Sequence, residues 1–376
     1  MKNNLKICSL IFVLIILLIF PEPIITATKT GLFTWADKVI PSLFPFFVLT
    51  RLMIHYQVPQ LIGKLLAPIF KYLLHISPIT FFIMLMGLIS GNPSGAKMAR
   101  EYYDQKLISK QEFQGLLYFC NFSSPLFIIG TIGVVLYESS KVGYFLLASH
   151  LLGSLAVFIC CYPYFKNKQG ANKVEIKVPS QPFSVLLIDS IESSIQTLIR
   201  VGGIIMFFYI ISATLNVIHI IEGLNLLLAP LLSASNIGNI DPLFSGILEF
   251  TQGVTKVSST ALPFYIQLTL TAFIVSFAGL SVHTQVFMFA SDVDLSYPKY
   301  LGFRILHGWA SALIILFSWQ FVFTDLQDVF APIGNSNPTA LSLLVPITLG
   351  IFGFYFLLRL INYFKLVSFR KFKTTD

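Results

Sequence analysis

Runs of apolar residues, most of them long enough or nearly long enough to cross a bilayer, dominate this chain. Residues 7–20 with their flanks, 39–55, 142–165, 201–218, 301–323 and 341–361 reach or approach the roughly 20 residues that a spanning helix requires. With 55% apolar residues, only 11% charged residues and a mean hydropathy of +0.79, the chain has too little charge to keep a soluble surface wet. Lipid is therefore the solvent for most of it. The net charge of +8 comes from Lys and Arg at span ends and in short loops, with no basic tract interleaved with aromatics, which argues against nucleic acid as a partner.

The pieces between these runs are apolar but broken. Residues 78–90 stop at Gly91, Asn92 and Pro93, and residues 114–136 are interrupted at Asn121 to Pro125. The second half repeats the character in 241–252, 263–277 and 281–290. A helix broken at membrane depth frees backbone groups that only protein or a water-filled cavity can satisfy, so these segments point to a pathway.

Charge sets an expected topology. Residues 166–177 carry four lysines and one acid, the tail carries Lys365, Arg370, Lys371 and Lys373, and the 324–339 loop carries Asp325 and Asp328 without a base. The positive-inside rule then places the N-terminus, the middle loop and the C-terminus in the cytoplasm. The first apolar run, preceded by Lys2 and Lys6, is read as a retained span rather than a signal peptide cleaved near Ala27, because no soluble domain follows it. Cys8, Cys120, Cys160 and Cys161 fit neither a disulfide framework nor a zinc spacing and read as small buried apolar side chains.

Compared with itself, the chain shows an internal repeat. Lys38 corresponds to Arg200, and Leu65-Leu66-Ala67-Pro68 recurs as Leu227-Leu228-Ala229-Pro230, both 162 residues apart. Gly87 to Lys97 aligns without a gap on Gly246 to Lys256 at 159, Phe127 on Phe287 at 160, and His150 with Ser154 on His307 with Ser311 at 157. The expected organisation is an N-terminal transmembrane helix (1–30), a first repeat (31–165), a cytoplasmic linker with the start of an interfacial helix (166–189), a second repeat (190–323), and an outer loop, last transmembrane helix and basic tail (324–376). An odd number of crossings between the copies makes them inverted. The fold class is therefore all-α and polytopic, with two inverted-topology repeats of broken helices, the plan by which transporters expose one central site to either face in turn.

Candidate site residues follow from the breaks. The aligned segments each reach a lysine, Lys97 and Lys256, and a two-fold axis would turn both ammonium groups towards one cavity; a charge at the bilayer centre costs about 2.5–3.5 kcal/mol, so retaining two suggests a use. Asn92 and Ser94 occupy the first break; Glu249, Thr251 and Gln252 occupy its counterpart, with Glu249 either pairing with Lys256 or binding a coupling proton. The second set of breaks offers Asn121, Ser123, Ser124, Ser281, His283, Thr284 and Gln285. Half-helix N-termini there aim N–H groups and a positive dipole end at an anion, so the expected partner is a small anionic substrate, with an ion or proton as coupling partner and a homo-oligomer allowed. His150 and His307 fit a proton relay or a structural bridge. Residues 186–199 read as an amphipathic helix lying at the interface, with residues 31–38 as counterpart. No Walker A loop, Rossmann glycine pattern, HExxH helix or GxSxG elbow is present, so no enzyme, cofactor or metal is expected.

The run Gly31-Leu-Phe-Thr-Trp-Ala-Asp-Lys-Val-Ile-Pro-Ser-Leu-Phe-Pro-Phe-Phe, the break Ser90-Gly-Asn-Pro-Ser-Gly-Ala-Lys97, the segment Cys120-Asn-Phe-Ser-Ser-Pro-Leu-Phe-Ile-Ile-Gly130 and Gly279-Leu-Ser-Val-His-Thr-Gln285 resemble sporulation integral membrane proteins of the YlbJ/SpoVV type, over nearly the whole chain. That family carries nucleoside-recognition (Gate) domains. The resemblance implies a role in spore-forming bacteria, carrying dipicolinate across the outer forespore membrane, and a fold like that of concentrative nucleoside transporters. The second copy departs from the pattern by placing Thr251-Gln252 where the first has Asn92-Pro93.

Overall fold

A computed structural model describes residues 2–58, 61, 76–166, 181–234 and 239–323, and every regular element among them is helical. The expected outer loop, last span and basic tail (324–376), the linker at 167–180 and the Leu65 to Pro68 tetrapeptide lie outside the described residues. Ser140–Tyr164, Phe183–Val217, Phe264–Met288 and Tyr297–Val322 are long and apolar enough to cross a membrane, and Leu10–Ile19 with Pro21–Val39, bent by 100°, adds a fifth crossing if counted as one span. The chain is thus an all-helical polytopic membrane protein.

Helix α1 (Lys2–Ile19) turns lipid-facing side chains such as Leu10 and Leu18 outward, and Cys8 is exposed with them rather than buried. After Phe20, α2 (Pro21–Thr34) passes through a π-helical turn (Trp35–Val39) into α3 (Ile40–His55) without a break. Its partner is α8 (Phe183–Val217), a helix of 35 residues. Both ends of the two long helices are 162 apart, since 183 − 21 and 217 − 55 agree with the Lys38/Arg200 offset. The stretch expected to lie at the interface, 186–199, is instead the first half of α8. Asp189 and Ser193 are bonded by α3 and α5, while Glu192 and Gln196 are exposed, and the helix continues unbroken into the candidate span.

These two helices pack antiparallel. Gly31 abuts Met206 and Tyr209, the Trp35 indole nitrogen donates to Leu198 O at 2.9 Å, and Arg51 near the end of α3 meets Asp189 near the start of α8 at 3.4 Å. Val39, Leu43 and Phe47 share one buried cluster with Val201, Ile205 and Tyr209, and each pair is 162 apart. Residues related by the repeat meet each other only where a two-fold axis runs between them. Trp35→Phe removes the bond across this contact, and a loss of about 1 kcal/mol, read as a melting point lower by a few degrees in detergent, is the expected result.

The same axis reappears between α7 (Ser140–Cys161) and α14 (Tyr297–Val322), whose first residues are 157 apart. Lys141 lies over the Phe323 ring at 5.2 Å, Gly153 packs on Ser311, and the His150 and His307 rings stand 4.6 Å apart. This pair is also antiparallel. Two inverted copies therefore enclose the centre of the molecule.

Between these pairs lie the broken helices. In the first copy they are α4 (Pro78–Ser90) with α5 (Ser94–Asp104), then α6 (Lys110–Phe119) followed by a π-helix (Phe127–Leu136). After α9 (Ile220–Ala234), the second copy has α10 (Asp241–Leu248) with α11 (Phe250–Ser258), then α12 (Phe264–Phe277) with α13 (Gly279–Met288). Ser77 caps α4, Ser139 caps α7, and Ser109 with Glu112 forms a complete capping box on α6, so these outer ends are closed locally. At one end of the molecule, Arg100 grips Asp292 with two nitrogens and holds that carboxyl below its usual range, while Gln114 reaches Asp294 O at 2.7 Å. These bonds tie the first copy to the turn before α14.

Candidate functional site

Each half-helix stops abruptly inside the bundle, and the sequence supplies the means. Gly91 ends α4 at φ 77°, and Gly279 opens α13 at φ 67° after Ala278, itself left-handed at φ 72°. A Cβ on Gly91 would stand 2.7 Å from Ser124 N, and one on Gly279 would stand 3.0 Å from Phe250 N. In each copy, therefore, the first break touches the second. Asn92 N donates to Phe122 O at 2.8 Å across that contact, and Ser124 Oγ accepts from Phe127 N at 3.2 Å to cap the π-helix.

All the breaks meet the two long helices at one cavity of about 30 Å³, space for a water or two. Its walls include Asn92, Ser123 and Ser124 from the first copy, Phe250 and Gln285 from the second, and Val39 with Val201 at the axis. The space is small and lined mostly by apolar atoms. The N-termini of α5, α11 and α13 and of the π-helix converge here, an array of positive dipole ends in a medium of low dielectric constant.

Several polar atoms at the breaks are buried and have no partner: both side-chain atoms of Asn92, Ser94 Oγ, Asn121 Oδ1, Glu249 Oε1, Gln252 Oε1 and Ser281 Oγ. Leaving such atoms unpaired costs roughly 1–3 kcal/mol each, which a ligand or water would recover. The sequence reading had named each of these residues, Glu249 for its charge and the others from helix breakage.

Other candidates sit elsewhere. Lys97 donates to Ser193 Oγ at 2.9 Å and Thr197 Oγ1 at 3.0 Å on α8, one turn from Val201 in the cavity wall; among the described residues no carboxylate pairs with it. Lys256 is held by Asp241 at 2.7 Å and by Ser245 at 2.9 Å, within its own hairpin. The two ammonium groups thus do not share the cavity, and Lys256 pairs with Asp241 rather than Glu249, because α10 folds back alongside α11. Thr284 is exposed and bonds Leu280 O at 2.9 Å on its own helix, on the face turned away from the cavity. His283 is buried and bonded to Phe277 O at 3.0 Å, bridging the α12–α13 break. Thr251 donates to Glu249 Oε2 and Gln252 N donates to the same oxygen at 2.8 Å, so Glu249 caps α11 with one oxygen.

The sequence reading missed Arg304. Within 301–323 it is the sole charged residue, a signal that should have set it apart. Fully buried, it donates to Tyr118 O and Asn121 O at 2.9 Å each and lies 5.8 Å from the Tyr300 ring centre. It thereby closes the C-terminal end of α6, whose carbonyls have no water. The histidines are similarly occupied. Ser123 N donates to His150 Nε2 at 3.3 Å, so Nδ1 carries the hydrogen and donates to Ser276 Oγ at 2.8 Å; His307 Nε2 donates to His150 O at 2.9 Å. Two neutral, satisfied imidazoles beside a buried guanidinium form a structural bridge between the copies.

Inverted repeats of broken helices around a small cavity, whose wall holds the orphaned Asn92 side chain, are a plan also found among membrane transporters. Residues 36–140 match the family model described as Nucleoside recognition (Gate). The chain is 31% identical over 360 residues to the Sporulation integral membrane protein YlbJ of Bacillus subtilis (strain 168), covering 89% of this chain and 88% of that protein. It belongs to the YlbJ family of sporulation integral membrane proteins. No solved structure matches it.

Proposed function

We propose that this chain is a transporter, not an enzyme, that moves a small organic anion through the cavity between its two copies, with dipicolinate crossing the outer forespore membrane as the substrate. The observation that carries the reading is the set of orphaned polar atoms on Asn92, Ser94, Asn121, Gln252 and Ser281, gathered where half-helix N-termini meet. Lys97 supports an acidic substrate: its partners are two hydroxyls, so an anion reaching it gains a charge-assisted bond without first breaking an ion pair. The cavity is too small for a pyridine dicarboxylate, so in this reading the hairpins part from α3 and α8 to admit it.

Proteoliposomes test this directly. Wild-type protein is expected to take up dipicolinate and to prefer it over uridine by at least tenfold; Lys97→Ala should lower dipicolinate uptake by at least tenfold and Lys256→Ala by much less. Uridine uptake matching or exceeding that of dipicolinate would favour the second reading, a nucleoside carrier, which rests on the description of the matched family. Absence of uptake of either compound by well-folded protein would end both.

A further inference from the structure

Glu249 is not explained by anion binding. Its carboxyl is fully buried, forms no ion pair among the described residues, and has one oxygen, Oε1, with no partner. The other oxygen accepts from Gln252 N and Thr251 Oγ1. The Tyr209 hydroxyl on α8, 3.1 Å from Thr34 Oγ1 on α2, lies close to that Thr251 hydroxyl. A row of hydroxyls thus runs from Thr34 past Tyr209 towards Thr251 and the carboxyl. Lys38, in the π-helical turn, donates to Thr255 Oγ1 at 3.4 Å on the same face of α11 and is the cation whose field reaches Glu249. The titratable and charged groups facing Glu249 are thus Lys38 from the π-helical turn and Tyr209 from α8.

We propose, building on the anion-transporter reading, that Glu249 carries the coupling proton, with Thr251, Tyr209 and Thr34 as its path and Lys38 as the cation for which its carboxylate and the substrate compete. When an anion engages Lys38, the ionised Glu249 loses the counter-charge of Lys38 in a water-poor site, and it takes a proton by way of Thr251 and the neighbouring hydroxyls. When the anion leaves on the far side, the carboxylate turns back to Lys38 and the proton is released there. One proton therefore crosses with each anion, and no other co-reactant is needed. A buried lone carboxyl in lipid is a costly group to retain without such a use.

The test uses full-length protein in liposomes holding a pH-sensitive dye, with dipicolinate as the probe. Wild-type protein should acidify the lumen as it takes up dipicolinate and should accumulate it at least tenfold under an inwardly directed proton gradient. Glu249→Gln should lose that accumulation and the acidification while keeping dipicolinate exchange between equal pools at a reduced rate, since exchange needs no net proton movement. Glu249→Asp, which keeps a carboxyl, guards against a folding defect: it should restore acidification, more slowly. Tyr209→Phe should slow acidification several-fold. Wild-type accumulation without acidification, or Glu249→Gln acidifying as wild type does, would overturn the proposal while leaving transport standing. No dipicolinate exchange by wild-type protein would remove both.

Discussion

Arg304→Lys is expected to destabilise the protein by about 3 kcal/mol and to lower its melting point in detergent by several degrees or more. The guanidinium reaches two carbonyls, Tyr118 O and Asn121 O, at once because its nitrogens are held in a fixed planar fork. An ammonium keeps the charge but serves as a single point, so one carbonyl at the end of α6 is left bare. Bonds to charged groups contribute about 1.5–3 kcal/mol each, and a carbonyl orphaned in lipid cannot turn to water instead. The face of the Tyr300 ring is also fitted to a flat cation. A lysine variant that melts within about two degrees of wild type would show that the fork is dispensable. Because Asn121 belongs to the break lining the pathway, dipicolinate uptake should fall with stability.

Gly91→Ala should have a comparable effect by a different route. At φ 77° and ψ −176° the backbone sits in a region nearly closed to residues with a side chain, which costs about 1–3 kcal/mol. The added methyl would also lie 2.7 Å from Ser124 N and 2.8 Å from Ser124 Cβ, so the contact between the two breaks of the first copy must open. Uptake is expected to fall below a tenth of wild type, with reduced yield of folded protein. Gly203→Ala provides the control: a Cβ there meets nothing within 4 Å, and alanine favours the α8 helix by up to about 1 kcal/mol. Normal uptake by the Gly91 variant would mean that the breaks do not need to touch.

The repeat was the most informative feature of the sequence, and its offsets carried over into space: Val39 meets Val201, and His150 meets His307. Helix breakage likewise located the orphaned atoms of Asn92, Asn121, Gln252 and Ser281, since broken helices expose polar groups wherever they occur. Side-chain partners were not legible. Lys256 and Asp241 are fifteen residues apart in sequence, and only the return of α10 beside α11 makes them a pair. Thr284 and Gln285 are neighbours with opposite fates, exposed and buried, because one residue turns a helix by about 100°. Glu249 was noticed for its charge, but Tyr209 and Thr34, whose hydroxyls lie near its Thr251 partner, come from α8 and α2, far along the chain.

The pairing of α2–α3 against α8 sets two related halves face to face. In the proposed transport cycle, two such related halves would exchange roles, each taking the posture now held by the other. The grip of Lys97 on Ser193 and Thr197 has no twin on the opposite side, where Lys38 makes a longer reach to Thr255. In the proposed cycle, swapping the halves would give Lys97 the surroundings now held by Lys256, which bonds Asp241 and Ser245, so its grip on α8 would be released.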